Sequence, residues 1–88
     1  MMFKKRRGIK LPYNRQGLIH FICMNYADMP EKIKRKIDSL CEEVGKEDSE
    51  ALFEVLTNDN KSVYLIASES FVNEKKLYQL RKEFYERF

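Results

Sequence analysis

The chain has 88 residues, of which 43% are hydrophobic and 35% are charged, and its formal net charge is +3. This length allows one domain, and the apolar fraction is too high for a disordered chain. No apolar run reaches the roughly 18 residues of a membrane span, and no secretory signal is apparent after the basic start. We therefore expect a cytoplasmic protein rather than a membrane protein or a secreted disulfide scaffold.

The charge is unevenly distributed along the chain. Residues 1–27 carry +6, residues 28–60 carry −5 and residues 61–88 carry +2. Two basic regions that flank an acidic one suit a polyanion bound on one face. The alternative is an ordinary solvated surface of mixed sign.

Residues 1–12 are predicted to form a flexible basic arm, and residues 13–88 a single helical domain. The cations of the arm are Lys4, Lys5, Arg6, Arg7 and Lys10. Asn14 is a suitable N-cap for a helix over about 15–27, although its dense apolar residues would also suit a strand. No second strand-like run with a hairpin turn follows, which favours the helix.

The start signal of the second helix is the clearest in the sequence. Asp28 can cap a helix, Pro30 suits a first turn, and Glu31 stands where a capping box places an acidic residue. Apolar residues then recur at helical spacing to Val44. Gly45 is the expected C-terminal cap of a helix over about 30–44.

Three shorter helices are predicted after Gly45. Asp48 or Ser49 opens the third, Ser62 caps a fourth that reaches about residue 69, and Asn73 caps a fifth that runs towards the C-terminus. The expected fold is therefore all-α, with about five helices in one small bundle.

The last two predicted helices match a helix-turn-helix over about 62–88. Such a motif needs a small residue where the two helices cross, and Ala67 occupies that position. Apolar residues stand at the spacings that the motif requires around Ala67. They are Ile66, Val72, Leu77 and Leu80.

One position departs from the pattern. The turn residue four places after Ala67 is most often Gly, because it takes a positive φ, and here it is Phe71. A bulky side chain in that conformation is costly, so the turn is expected to be longer or differently shaped. A plain helical hairpin in a three-helix core is the alternative.

A recognition helix that begins at Glu74 would place its first residues and outer face in the major groove. Gln79 can pair with adenine, and a lysine can reach the acceptors of guanine. Lys61 and Ser62 are positioned to hold phosphate, and the cations of the arm could enter the minor groove or attract any polyanion. The candidate DNA-binding residues are Asn73, Lys75, Lys76, Tyr78, Gln79, Lys82, Lys61, Ser62, Lys4, Lys5, Arg6 and Arg7.

No residue pattern indicates catalysis, a cofactor or a metal. Cys23 and Cys41 lack the nearby histidines of a zinc site and are expected to be reduced core residues. His20 is the only histidine and lies among apolar residues, which is typical of a structural histidine. We therefore expect no enzyme activity.

Several segments carry a resemblance to a known group of proteins. They are PYNRQGLI at 12–19, ALFEVLT at 51–57, SV at 62–63 and LYQLRKEFY at 77–85. These segments look like those of small proteins from prophages and mobile elements of Gram-positive bacteria. That group is usually taken to contain a helix-turn-helix similar to the promoter-reading C-terminal domain of sigma factors. The resemblance implies a role in transcription control or in handling element DNA.

The sequence is therefore compatible with two functions. The first is a DNA-binding regulator whose partner is double-stranded DNA, with RNA polymerase or another element-encoded protein as a further candidate partner and a homodimer left open. The second is a small helical adaptor without DNA binding. Its contact surface would combine the acidic segment 42–54 with Phe84, Tyr85 and Phe88, although these aromatic residues are slightly more typical of core positions.

Overall fold

The structure is a computed structural model that describes residues 4–6 and 8–88. All regular elements in these residues are helical, so the all-α prediction is confirmed, with a helix count close to the expected five. Two 3₁₀ turns, Tyr26–Asp28 and Lys46–Asp48, lie between the longer helices. The α-helices are α1 (Tyr13–Met24), α2 (Glu31–Gly45), α3 (Ser49–Thr57), α4 (Val63–Ser70) and α5 (Glu74–Arg87).

Helix α3 lies at the centre and packs against the other four α-helices. Its side chains take part in two apolar clusters. Leu52 and Leu56 join the larger cluster, which is built mainly with α1, α2 and α5. Ala51 and Val55 join the smaller one, which is shared with α4 and α5. The two predicted motif helices, α4 and α5, therefore pack against α3 and form a three-helix unit with it.

The predicted caps of α4 and α5 are confirmed. The Ser62 hydroxyl accepts a hydrogen bond from Leu65 N, and the Asn73 side-chain oxygen accepts from Lys75 N and Lys76 N. These bonds satisfy backbone donors that a helix start leaves without partners.

The starts of α1 and α2 differ from the prediction. Helix α1 begins at Tyr13, one residue before the expected cap Asn14, because Pro12 provides an extended entry and its carbonyl accepts from Gln16 N. Helix α2 begins at Glu31, while Asp28 belongs to the preceding 3₁₀ turn. Both helices therefore start directly after a proline and have no side-chain cap.

Gly45 is not the C-terminal cap of α2. It lies within the helix at φ −82°, and the following residue, Lys46, takes the positive φ of 52°. A Cβ built on Gly45 would lie 3.4 Å from Leu52 Cδ2 and 3.4 Å from Ser49 Cβ. These are the shortest distances of ordinary van der Waals contact, and the negative φ of Gly45 shows that no left-handed turn requires glycine here.

The N-terminal segment, residues 4–6 and 8–11, is partly docked instead of forming a free arm over its whole length. Ile9 is buried in the larger apolar cluster. The fully buried Gln16 side chain donates to the carbonyls of Ile9 and Leu11 and accepts from Arg6 N. Buried amide groups need such partners, so Gln16 and the segment satisfy each other.

Cys23 and Cys41 are free and buried, as expected for core residues. Burial raises the pKa of each thiol to about 12. None of the helices in the described part of the chain has the length and apolar character to cross a membrane.

Candidate nucleic-acid interface

The turn between α4 and α5 is tight in spite of Phe71. Phe71 adopts the left-handed conformation, with φ 57° and ψ 37°, and its side chain is 96% exposed. Val72 N donates to Ala67 O at 3.0 Å, and Phe71 N lies 3.5 Å from Ser68 O. These are the two hydrogen bonds of a Schellman motif, in which Phe71 takes the place usual for Gly. The expectation of a longer turn is therefore wrong.

The five apolar motif positions meet in the core as their spacing predicted. Ile66, Ala67 and Leu77 are buried in the smaller cluster, with Val72 and Leu80 packed against it. Because Ala67 has no side chain beyond Cβ, it allows α4 and α5 to approach closely. This arrangement fixes which side of α5 faces solvent.

The solvent-facing side of α5 carries several of the predicted contact residues. Lys75 and Gln79 are exposed, Tyr78 is half-exposed and Lys82 is partly buried. Asn73 is exposed at the helix start, but its side-chain oxygen is already used by the cap. The face therefore offers ammonium and amide groups that can donate hydrogen bonds to a ligand.

Lys76 lies apart from this group. Its Nζ is 2.6 Å from Asp48 Oδ2 and 3.6 Å from Glu47 Oε1, so it pairs with the turn between α2 and α3. The hydrogen bond to Asp48 raises the pKa of Lys76. Lys76 is exposed on α5, but a ligand would have to compete with these two carboxylates for its ammonium group.

The two predicted phosphate contacts before α4 are also engaged within the chain. Lys61 Nζ lies 2.8 Å from Glu69 Oε1 and 3.4 Å from Glu54 Oε2, and the Glu69 hydrogen bond raises its pKa. Ser62 caps α4 through its hydroxyl oxygen. A phosphate would have to compete with two carboxylates for Lys61.

The basic N-terminal residues differ from one another in their surroundings. Lys4 and Lys5 are exposed, whereas Arg6 is partly buried against α1 and α5. Arg7 lies outside the described residues. Arg6 therefore lies beside α5, the helix that also carries Lys75 and Gln79.

Sequence reasoning did not single out Arg81, and it gave His20 only a structural role. Arg81 stacks on the Tyr78 ring at 5.1 Å, and its buried Nε has no hydrogen-bond partner. His20 Nδ1 lies 3.3 Å from Arg6 Nη2. The available signal was the position of Arg81 on the apolar side of α5, four residues before Tyr85.

No protein-family model, curated protein or solved structure matches this chain. Within the described residues, no group of three or more His, Cys, Asp or Glu side chains could hold a metal ion.

Proposed function

We propose that this chain binds double-stranded DNA by placing the outer face of α5 in the major groove. The observation that supports this proposal is the tight α4–α5 turn at Phe71. It combines the hydrogen bonds of a Schellman motif with a small residue, Ala67, at the helix crossing. A helix presented in this way is what DNA-binding helix-turn-helix proteins use for recognition.

The side chains on α5 have the chemistry for this role. Gln79 can form two hydrogen bonds with adenine, and Lys75 can donate to the guanine acceptors O6 and N7. Tyr78 stands at the edge of the same face, where a hydroxyl can reach a phosphate. Lys82 extends the positive charge by two turns from Lys75.

The biological role that we propose is transcription control encoded by a prophage or mobile element. Its support is the resemblance of the segments at 12–19, 51–57, 62–63 and 77–85 to that group of proteins. A single motif of this size covers a short site, so specific control would need a second copy or a protein partner such as RNA polymerase.

A helical adaptor without DNA binding is the second candidate. The contact surface predicted for it from the sequence loses two of its aromatic residues, because Phe84 and Tyr85 are buried in the core. Other apolar side chains favour this candidate, since Tyr64, Leu65 and Phe71 are exposed on α4 and its turn. An adaptor would use this surface for a protein partner.

Fluorescence anisotropy with a random-sequence duplex, at low and at moderate salt, tests the DNA proposal. We expect binding that weakens steeply with salt, because cations on the protein release counterions from DNA. Lys75→Glu should weaken binding by about 5- to 150-fold, the range for losing one good contact. Lys32→Glu, an equal charge reversal at an exposed position of α2, is the matched control.

Equal losses in the two variants would mean that α5 is not the contact helix. If the unchanged chain does not bind at low salt, the DNA proposal fails and the adaptor becomes the better explanation. Circular dichroism on each variant checks that helix content is preserved.

A further inference from the structure

Two arginines and a histidine lie together at the edge of α5, where α1 and the N-terminal segment meet it. Arg6 comes from the N-terminal segment, His20 from α1 and Arg81 from α5. The Arg6 guanidinium is 5.6 Å from the centre of the Tyr85 ring, and its Nε is 3.4 Å from Tyr85 Oη. Arg81 lies one turn before Tyr85, so the two arginines are neighbours on this edge.

The backbone of Arg6 is held in place before any ligand arrives. Gln16 Oε1 accepts from Arg6 N at 2.9 Å, and buried Ile9 anchors the residues that follow. The Arg6 side chain is also oriented, because its Nη2 lies 3.3 Å from His20 Nδ1. A guanidinium nitrogen can only donate, so His20 Nδ1 is the acceptor in this contact. A preorganised cation loses less conformational entropy on binding an anion.

Arg81 stacks on the Tyr78 ring, but no carboxylate pairs with its guanidinium group among the described residues. Its Nε is buried without a hydrogen-bond partner, and within residues 4–6 and 8–88 it forms no salt bridge. Burial, followed by the charge of Arg6, lowers the pKa of Arg81 to about 10. The charge of Asp59 acts on His20. Asp59 forms no salt bridge with Arg81. An anion bound beside Arg81 would offset the cost of burying its charge and weaken its repulsion by Arg6.

We propose that Arg6 and Arg81 together bind one phosphate group of the DNA backbone, with His20 and Tyr85 orienting Arg6. This inference rests on the proposed function and adds a phosphate contact beside the base-reading face of α5. Guanidinium groups suit phosphate because their planar donors can form paired hydrogen bonds with its oxygens. The contact would fix how α5 lies across the groove.

The first arm of the test uses inorganic phosphate and the unchanged full chain. In ¹H–¹⁵N NMR spectra, the Nε–Hε signals of Arg81 and Arg6 should shift with phosphate and stay in place with chloride at equal ionic strength. The signal of Arg35, which is exposed on α2, is the internal control. Equal shifts at Arg35 and Arg81, or none at Arg81, would overturn the site.

The second arm uses duplex DNA and measures how affinity depends on salt. Arg81→Gln should lower the log–log slope by about 0.9 and weaken binding about tenfold near 0.1 M salt, as the loss of one phosphate contact requires. Arg6→Gln reaches the same site from another segment and should act alike. Arg35→Gln removes the same charge from α2 and should leave the slope close to that of the unchanged chain.

The outcomes separate the site from the function. The inference is supported if phosphate shifts the Arg81 Nε–Hε signal and if both arginine variants show a reduced salt dependence of DNA affinity. A slope in Arg81→Gln and Arg6→Gln equal to that of Arg35→Gln overturns it, even if phosphate alone binds. No DNA binding by the unchanged chain defeats the proposed function and the DNA assignment, and the phosphate titration then shows separately whether the arginines bind an anion.

Discussion

Phe71 holds a backbone conformation that disfavours any residue with a Cβ, yet its ring lies almost wholly in solvent. The left-handed conformation costs an L-residue about 1–2 kcal/mol. The ring cannot repay this cost through burial. The surrounding turn imposes it instead, because Val72 must enter the core immediately after α4 ends.

Replacing Phe71 with glycine should therefore stabilise the chain. Phe71→Gly removes the left-handed strain and gives back part of that gain through a more flexible unfolded chain, so we expect a net gain of about 1 kcal/mol. Thermal denaturation followed by circular dichroism should show a melting temperature higher by about 4–8 °C.

Ser68→Gly is the matched control for this substitution. Ser68 is exposed within α4. Glycine lowers helix stability at such a position, so the melting temperature of the Ser68→Gly variant should fall. A melting temperature of Phe71→Gly that stays level or falls would show that the turn relaxes around the aromatic side chain.

At the scale of the elements, the crossing of α4 over α5 depends on the small size of Ala67. Ala67→Leu would add three carbon atoms to a closely packed contact and should destabilise the chain by about 1–3 kcal/mol. Urea denaturation would measure this loss. Ser68→Leu, on the exposed side of the same helix, should change the free energy of unfolding by less than about 0.5 kcal/mol. Similar losses in the two variants would contradict a close crossing at Ala67.

The helices themselves were largely predictable because their signals are local. Ser62 and Asn73 cap the helices that follow them, and the apolar spacing around Ala67 identified the core side of α4 and α5. The starts of α1 and α2 were misplaced, because prolines at 12 and 30 replace side-chain caps there.

The candidate site was less predictable because its side chains depend on tertiary neighbours. Nothing near Lys76 in the sequence indicates that its Nζ lies 2.6 Å from Asp48 Oδ2. The ion pairs of Lys61 with Glu54 and Glu69 were equally unpredictable. Arg81 could be placed on the buried side of α5 from its spacing, but its neighbour Arg6 is 75 residues earlier.

At the scale of the whole molecule, the N-terminal segment joins the two ends of the chain. Ile9 fills part of the core that α5 closes, and Lys10 N lies 3.2 Å from Glu86 Oε2. Gln16 holds this segment through three hydrogen bonds to backbone atoms. Removing one side chain on α1 should therefore release the segment from α5 as well.

Gln16→Leu keeps a similar volume but leaves the carbonyls of Ile9 and Leu11 without these donors. We expect a loss of about 1–3 kcal/mol in unfolding free energy. Trypsin should also cleave after Lys10 faster than in the unchanged chain, because the bond is exposed once the segment detaches. Asn14→Leu, exposed on the same helix, is the control. Equal cleavage rates in all three proteins would mean that Gln16 does not hold the segment.

The two buried thiols give this molecule an internal reporter of its own opening. A cysteine whose pKa is about 12 hardly forms the thiolate at neutral pH, so an alkylating reagent reacts with it chiefly after the core has opened. Cys23 belongs to α1 and Cys41 to α2, and the chain has no tryptophan to follow by fluorescence. Labelling rates at the two positions would then distinguish an excursion of α1 alone from the unfolding of the entire bundle.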